Sequence, residues 1–174
     1  MPTKRKEDLL DLAAEEGLLL EQVRALDGTI EEKTQQLTDL GVFGAYADIH
    51  RNYVRLAKEG DQEALKRALF LQWFEVAEPA FLTGLSDLDA DEKSVALALA
   101  EKECSSQNLD DEFWWMVPYY YLIAEWFVQE SGQVPNLIEF CRSHVPTGRI
   151  VPQAAVAFDG RGQMGDYWES LRKS

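Results

Sequence analysis

The longest apolar run of the chain, residues 113–128, constrains the fold more than any other feature. Its 16 residues are interrupted only by Pro118 and Glu125. Because a membrane-spanning helix needs about 20 apolar residues, the run is too short to cross a bilayer. A helix that is apolar on every side must be enclosed by other elements, so the run predicts a central helix over residues 111–130. Pro118 predicts either a kink in that helix or the first turn of a second helix.

Apolar residues recur at helical spacing along most of the remaining chain. Thr29 followed by Glu32, and Asp89 followed by Glu92, are capping boxes that mark two helix starts. Gly60 is a suitable left-handed helix stop. Besides the central helix, the pattern predicts helices over residues 7–27, 29–41, 42–59, 61–78, 89–105 and 135–145. We therefore expect an all-α fold, a compact bundle of about six or seven helices.

The pattern changes after the last of these helices. Residues 146–165 contain two prolines and four glycines, a composition that is typical of irregular structure. A segment of this length without structure of its own is uncommon in a compact domain, so we expect it to wrap around the helices or to reach a partner. Residues 167–171 predict a final turn of helix. The predicted organisation is a helical domain over residues 1–145 and an irregular C-terminal segment over residues 146–174.

The charge of the chain is strongly negative and unevenly placed. There are 31 acidic and 17 basic residues, which gives a net charge of −14. Residues 70–141 alone hold 14 acids and only two bases, Lys93 and Lys102, a net charge of −12. Because nucleic-acid affinity depends on cations that replace counterions, this charge argues against a nucleic-acid partner. The acids form either a solvated surface that keeps the protein soluble or a face that fits a basic partner, for instance by mimicking nucleic acid.

No motif of known chemistry is present. Cys104 and Cys141 are 37 positions apart and lack the spacing of a zinc site or a disulfide framework. The acids of residues 87–91 resemble the start of a calcium loop, but Glu92 occupies the position that requires glycine. The sequence also lacks a nucleophile elbow, a phosphate-binding loop and a dinucleotide-binding turn. We therefore expect no catalytic residue, no metal and no cofactor.

The N-terminus has a basic start, but acids follow at Glu7 and Asp8 where a signal peptide would have an apolar core. The longest apolar run is also too short to span a membrane. We therefore expect a cytoplasmic protein without a membrane partner.

Three carboxylates lie within apolar stretches: Glu75 and Glu78 in the helix predicted over residues 61–78, and Glu125 in the central helix. Buried carboxylates need partners, so one hypothesis is that tyrosine, tryptophan or arginine side chains bond them inside the fold. The other is a pocket between these two helices, in which a carboxyl group of raised pKa does acid–base work or binds a cationic ligand. Together with two aromatic residues that would line it, the candidate ligand- or partner-binding residues are Glu75, Glu78, Glu125, Trp114 and Tyr121.

The lack of a catalytic arrangement and the negative middle of the chain favour a non-enzymatic protein-binding module. Such a module would be an inhibitor, an immunity-like protein or an adaptor that recognises a basic protein surface. The alternative is an enzyme or small-ligand sensor with a Glu- and aromatic-lined pocket between helices. A third hypothesis is a structural homodimer subunit, which would expose a large apolar patch.

Overall fold

The computed structural model describes residues 2–129, 133–148 and 156–173. These residues form ten helices and no strand: α1 (Pro2–Arg24), α2 (Ile30–Asp39), α3 (Val42–Lys58), α4 (Gln62–Ala77), α5 (Ala80–Thr83), α6 (Ala90–Ser106), α7 (Phe113–Ile123), α8 (Trp126–Gln129), α9 (Pro135–Ser143) and α10 (Gly162–Lys173). The all-α prediction is confirmed. The count exceeds six or seven mainly because α5 and α8, each of four residues, have no apolar period of their own. None of these helices is both long enough and apolar enough to cross a membrane.

The capping residues predicted from the sequence make their hydrogen bonds at the starts of two helices. At α2 the Thr29 hydroxyl accepts the Glu32 amide at 3.2 Å, and the Glu32 carboxylate accepts the Thr29 amide at 2.7 Å. At α6 the Asp89 carboxylate accepts the amides of Asp91 and Glu92, both at 3.0 Å. These bonds occupy amide groups that have no partner within the helix, so the side chains determine where α2 and α6 begin.

The apolar run does not form one helix to residue 130, and that part of the prediction is wrong. Pro118 lies inside α7, and the helix ends at Ile123 because Ala124 adopts a non-helical backbone with φ −146° and ψ 68°. The next helix, α8, begins at Trp126, so the second helix starts after Glu125 and not at the proline. Residue 130 lies outside the described part of the chain.

The helix enclosed by the others is α4. Its residues from Ala64 to Trp73 are all buried, and it packs against α3, α5, α6, α7, α8 and α10. The sequence predicted residues 111–130 for this central position, and α7 instead leaves Trp114, Leu122 and Ile123 exposed. The central position of α4 could not be recognised in the sequence because the helix contains charged and amide side chains, which ordinarily indicate an exposed face.

Helix α10 completes the core from the C-terminal end. Trp168 is fully buried, and its indole N–H donates to the Tyr120 hydroxyl of α7 at 3.0 Å. On α4, Trp73 stacks on the Tyr120 ring with centroids 4.5 Å apart. The predicted final turn is therefore a helix of 12 residues. Residues 149–155 of the predicted irregular segment lie outside the described residues.

Candidate functional site

The three predicted carboxylates have different environments. Both oxygens of Glu75 are engaged within the chain: Oε1 accepts the Leu88 amide at 2.8 Å and Oε2 accepts Lys93 Nζ at 3.1 Å. Glu78, at the C-terminal end of α4, and Glu125, between α7 and α8, are exposed. Only Glu75 therefore has the internal partners expected of a carboxylate in an apolar stretch, and they are an amide and a lysine.

The two predicted aromatic residues are divided between core and surface. Tyr121 is buried, and its hydroxyl accepts Arg142 Nε of α9 at 3.2 Å. Trp114 is 43% exposed, and its ring lies edge-on to Phe140 and to His144 of the α9 end, with centroids 5.1 and 4.6 Å away. Trp114 therefore covers α9 with one side of its ring and presents the rest to solvent.

Trp114 is one of several exposed apolar and acidic side chains on α7, α8, α9 and the residues that join them. Trp126 is 48% exposed, and the exposed Leu122 and Ile123 lie between the two tryptophans in the chain. Exposed carboxylates stand on the same elements: one precedes α7, one lies between α7 and α8, and one is on α9. We call this the α7–α9 surface and define it by Asp111, Trp114, Leu122, Ile123, Glu125, Trp126 and Glu139.

The acids of the α7–α9 surface are not neutralised by the described part of the fold. None of the ion pairs among the described residues includes Asp111, Glu125 or Glu139. Glu139 accepts only a neutral hydroxyl there, from Ser143 at 3.2 Å. In contrast, Glu112 is drawn into the fold by Arg161 and Lys66. The three carboxylates therefore differ from Glu112 in having no cationic partner among the described residues.

Sequence reasoning missed a buried polar assembly centred on Glu16. This side chain is 1% exposed, and its Oε1 accepts the Tyr53 hydroxyl at 2.6 Å while Oε2 accepts the Gln163 amide at 2.9 Å. Gly162, with φ +61°, makes room for the carboxylate, since a Cβ there would overlap it. Burial raises the pKa of Glu16 to about 7, although the bonds from Tyr53 and Gln163 oppose the shift. The sequence feature that could have revealed this burial is the spacing of Glu16, which lies four residues from Leu12 and therefore on the buried side of α1.

The same assembly continues as a cluster of charges around Arg161. The Arg161 guanidinium makes paired hydrogen bonds to Glu63 of α4, at 2.7 and 2.6 Å, and to Glu112 beside α7, at 2.9 and 2.6 Å. Lys66, also buried, pairs with Glu63 at 3.2 Å and with Glu112 at 2.5 Å. Burial disfavours the charged form of Glu63, but Arg161, Arg67 and Lys66 outweigh it and hold the pKa of Glu63 at about 2. The cluster joins the C-terminal segment to the core.

A cleft near these groups lies between α1, α4, α5 and α10. It has a volume of about 210 Å³, with Leu20 and Phe74 among its apolar lining residues. Arg24 and Asp166 line its polar side and pair with each other at 3.3 Å. None of the five candidate residues lines it, so the predicted Glu- and aromatic-lined pocket does not coincide with this cleft.

Comparison of the chain with protein-family models, with curated proteins and with solved structures gives no match. Within the described residues, no group of three or more His, Cys, Asp or Glu side chains is placed to hold a metal ion.

Proposed function

We propose that the chain is a non-enzymatic protein-binding module, of the inhibitor, immunity-like or adaptor kind, whose α7–α9 surface binds a basic partner. The observation that carries the proposal is the exposure of Trp114 and Trp126 beside carboxylates that lack an internal cation. Tryptophan is enriched among the residues that dominate binding energy at interfaces. Exposed tryptophans grouped with other large apolar side chains are therefore typical of a binding surface.

The charge supports a basic partner. Residues 70–141 have a net charge of −12, and several of those acids, including Asp111 and Glu125, are exposed. Opposite charges around an interface accelerate encounter and exclude wrong partners, whereas buried aromatic residues supply most of the affinity. The partner that fits this surface has an apolar centre to receive the two tryptophans and lysines or arginines around it.

The alternative, an enzyme or small-ligand sensor, receives less support from the same residues. It needs Glu75, Glu78 and Glu125 to converge on one pocket with Trp114 and Tyr121. Both oxygens of Glu75 accept internal bonds, and the other two carboxylates are exposed. We therefore place binding at a surface rather than in a pocket between α4 and α7.

Affinity capture with surface variants tests the proposal. The chain is immobilised and exposed to an extract of its source cells at low and at physiological salt, and retained proteins are identified by mass spectrometry. One variant removes the aromatic groups (Trp114→Ala with Trp126→Ala), and another removes the charges (Asp111→Asn with Glu125→Gln and Glu139→Gln). Ile30→Ala with Leu40→Ala, at the two ends of α2, is the matched control, because both residues are 57% exposed.

We expect a basic protein that the parent chain and the α2 control retain and that both α7–α9 variants lose. Retention should be strongest at low salt, where electrostatic steering is least screened. Equal retention by all variants would contradict the proposal, as would the capture of nothing beyond an empty support. A dimer of the parent chain that the tryptophan variant converts to a monomer would assign the surface to self-association instead.

A further inference from the structure

A second exposed apolar surface runs along one side of α1. Leu10, Ala14 and Leu18 follow one another at intervals of four residues, so they form one row on the helix. Leu10 is 50% exposed, Leu18 is 62% exposed, and Ala14 is exposed as well. Gly17 lies beside the row, and a Cβ built on it would meet nothing within 4 Å. A partner backbone can therefore approach α1 closely at this point.

Between its two ends the row is bordered by acids, and the bases of α1 lie only before Glu7, where the exposed Lys6 precedes Leu10 by one turn, and at Arg24. From Glu7 to Val23 the chain holds six acidic residues and not one lysine or arginine. Four of these acids, Glu7, Asp11, Glu15 and Glu21, are exposed, and none forms an ion pair with a described side chain. At 3.6 residues per turn, Glu7 and Glu21 point within about 20° of Ala14, and Asp11 and Glu15 follow one flank of the row.

We propose that this side of α1 is a docking surface for a basic amphipathic helix of another protein. We call it the α1 face and define it by Glu7, Leu10, Asp11, Ala14, Glu15, Leu18 and Glu21. Apolar residues of the partner helix contact Leu10, Ala14 and Leu18, and its lysines or arginines reach the surrounding carboxylates. The contact extends over about 21 Å, the length of α1 between its first and last acid.

The charges of the α1 face favour docking of a different protein and disfavour docking of a second copy of this chain. Antiparallel pairing of two α1 helices about Ala14 brings Leu10 opposite Leu18, but it also brings Glu7 opposite Glu21. Parallel pairing places each acid beside its own copy. Like charges at such distances are destabilising, whereas a basic helix turns every one of these contacts into an attraction.

The α1 face is separate from the α7–α9 surface and does not depend on the function proposed for it. α1 packs against α3, α5 and α10, whereas α9 packs against α6 and α7. A chain with both surfaces can hold two basic partners at once, which is the property of an adaptor. The two proposals therefore fail independently.

A labelled synthetic helix provides the test. The probe is a peptide of about 20 residues with leucine and alanine along one side and lysine on both flanks, a length at which helices become stable enough to bind as such. A second peptide carries glutamate in place of every lysine. Each peptide is titrated with the full chain, and binding is followed by fluorescence anisotropy at two salt concentrations.

Three variants assign the binding to named residues. Leu10→Ala with Leu18→Ala removes the apolar row, and Glu7→Gln, Asp11→Asn, Glu15→Gln and Glu21→Gln together remove the charge. Ile30→Ala with Leu40→Ala is the control for exposed apolar residues elsewhere. All three variants are first shown by circular dichroism to keep the helical content of the parent chain.

We expect the basic peptide to bind the parent and the α2 control, and the leucine variant to weaken binding by about tenfold or more. The charge variant should weaken binding and abolish most of its salt dependence. The tryptophan variant of the α7–α9 surface should bind as the parent does. The proposal is overturned if the acidic peptide binds equally well, if the leucine variant is unaffected, if only the tryptophan variant loses binding, or if the parent alone dimerises through the leucine row.

Discussion

The Glu16 carboxylate lies 2.6 Å from the Tyr53 hydroxyl, so a fully enclosed acid of α1 is bonded directly to α3. The same carboxylate accepts the Gln163 amide in the first turn of α10. The groups that face it are Tyr46 and Tyr53 of α3, Arg67 of α4 and Asp166 of α10. One titratable group of α1 therefore bonds to two other helices, α3 and α10.

Folding stability should fall as the pH rises from about 4.5 to about 7 because of Glu16. Burial raises the pKa of Glu16 from 4.5 to about 7, so in this window the folded chain holds a proton that the unfolded chain has lost. A rise in pH then favours the unfolded state, by about 3 kcal/mol across the window. Glu16→Gln removes the titration, so the free energy of unfolding of the parent, minus that of the variant, should decline over this range in denaturant titrations.

The difference between parent and variant is needed because His50 titrates in the opposite direction. Burial lowers the pKa of His50 from 6.5 to about 4, so its contribution to stability is lost as the pH falls through that range. His50 is common to both proteins and cancels in the difference. A difference that stays level between pH 4.5 and 7 would show that Glu16 is ionised with an ordinary pKa.

The helices of this fold could be predicted from the sequence because their determinants are local. The capping residues Thr29 and Asp89 act on amides two or three positions away, and the apolar period repeats within each helix. The centre of the bundle could not be predicted in this way. Lys66 is buried in α4 because Asp110 and Glu112, from a distant part of the chain, neutralise it. Arg67 pairs with Glu63 of the same helix, but its other hydrogen bonds go to the distant carbonyls of Leu9 and Gly160, which only the tertiary structure brings close.

For the same reason the sequence did not indicate which of the candidate residues lie at the surface. Trp114 and Glu125 belong to the α7–α9 surface, whereas Tyr121 is turned inward to Arg142 and Glu75 to Lys93. An apolar run indicates that its residues pack against something, but not which of them remain at the surface. That depends on where α7 stops, and its end at Ile123 follows from the backbone of Ala124 rather than from a breaking residue.

Replacement of Arg161 should destabilise the fold strongly. Arg161→Met leaves Glu63 and Glu112 without the partner that makes paired hydrogen bonds to both, and breaking a buried ion pair costs about 3–5 kcal/mol. Arg24→Met is the matched control, since the Arg24 pair with Asp166 is well exposed and contributes at most about 1 kcal/mol. Both values are measured by denaturant unfolding at neutral pH.

A second readout separates the loss of charge pairing from a simple loss of packing. The low pKa of Glu63 adds stability that is fully present above about pH 4.5 and is lost as the pH falls through about 2. In Arg161→Met this acid-side decline should become shallower. If the variant is less stable but keeps the parent's slope at low pH, Arg161 contributes packing only.

Alanine at two glycines should change stability in opposite directions. Gly84 has φ +74°, and a Cβ there would lie 2.9 Å from Val23 and from Val42, so Gly84→Ala combines backbone strain with overpacking. We expect a loss of about 2–4 kcal/mol. Gly17 is an exposed helical residue whose added Cβ meets nothing within 4 Å, so Gly17→Ala should stabilise the fold by about 0.5–1 kcal/mol. Thermal or denaturant unfolding of the two variants and the parent shows whether each substitution raises or lowers the free energy of unfolding.

Substitutions of two tryptophans should distinguish an effect on folding stability from an effect on partner binding. Trp168 is fully buried and donates to the Tyr120 hydroxyl, so Trp168→Ala should cost about 3–5 kcal/mol of folding stability. Trp126 is 48% exposed, so Trp126→Ala should cost less than about 1 kcal/mol while weakening capture of the basic partner. Unfolding and capture are measured on the same preparations of both variants. If Trp126→Ala destabilises the chain as much as Trp168→Ala does, Trp126 belongs to the core, and the α7–α9 surface loses one of its two aromatic anchors.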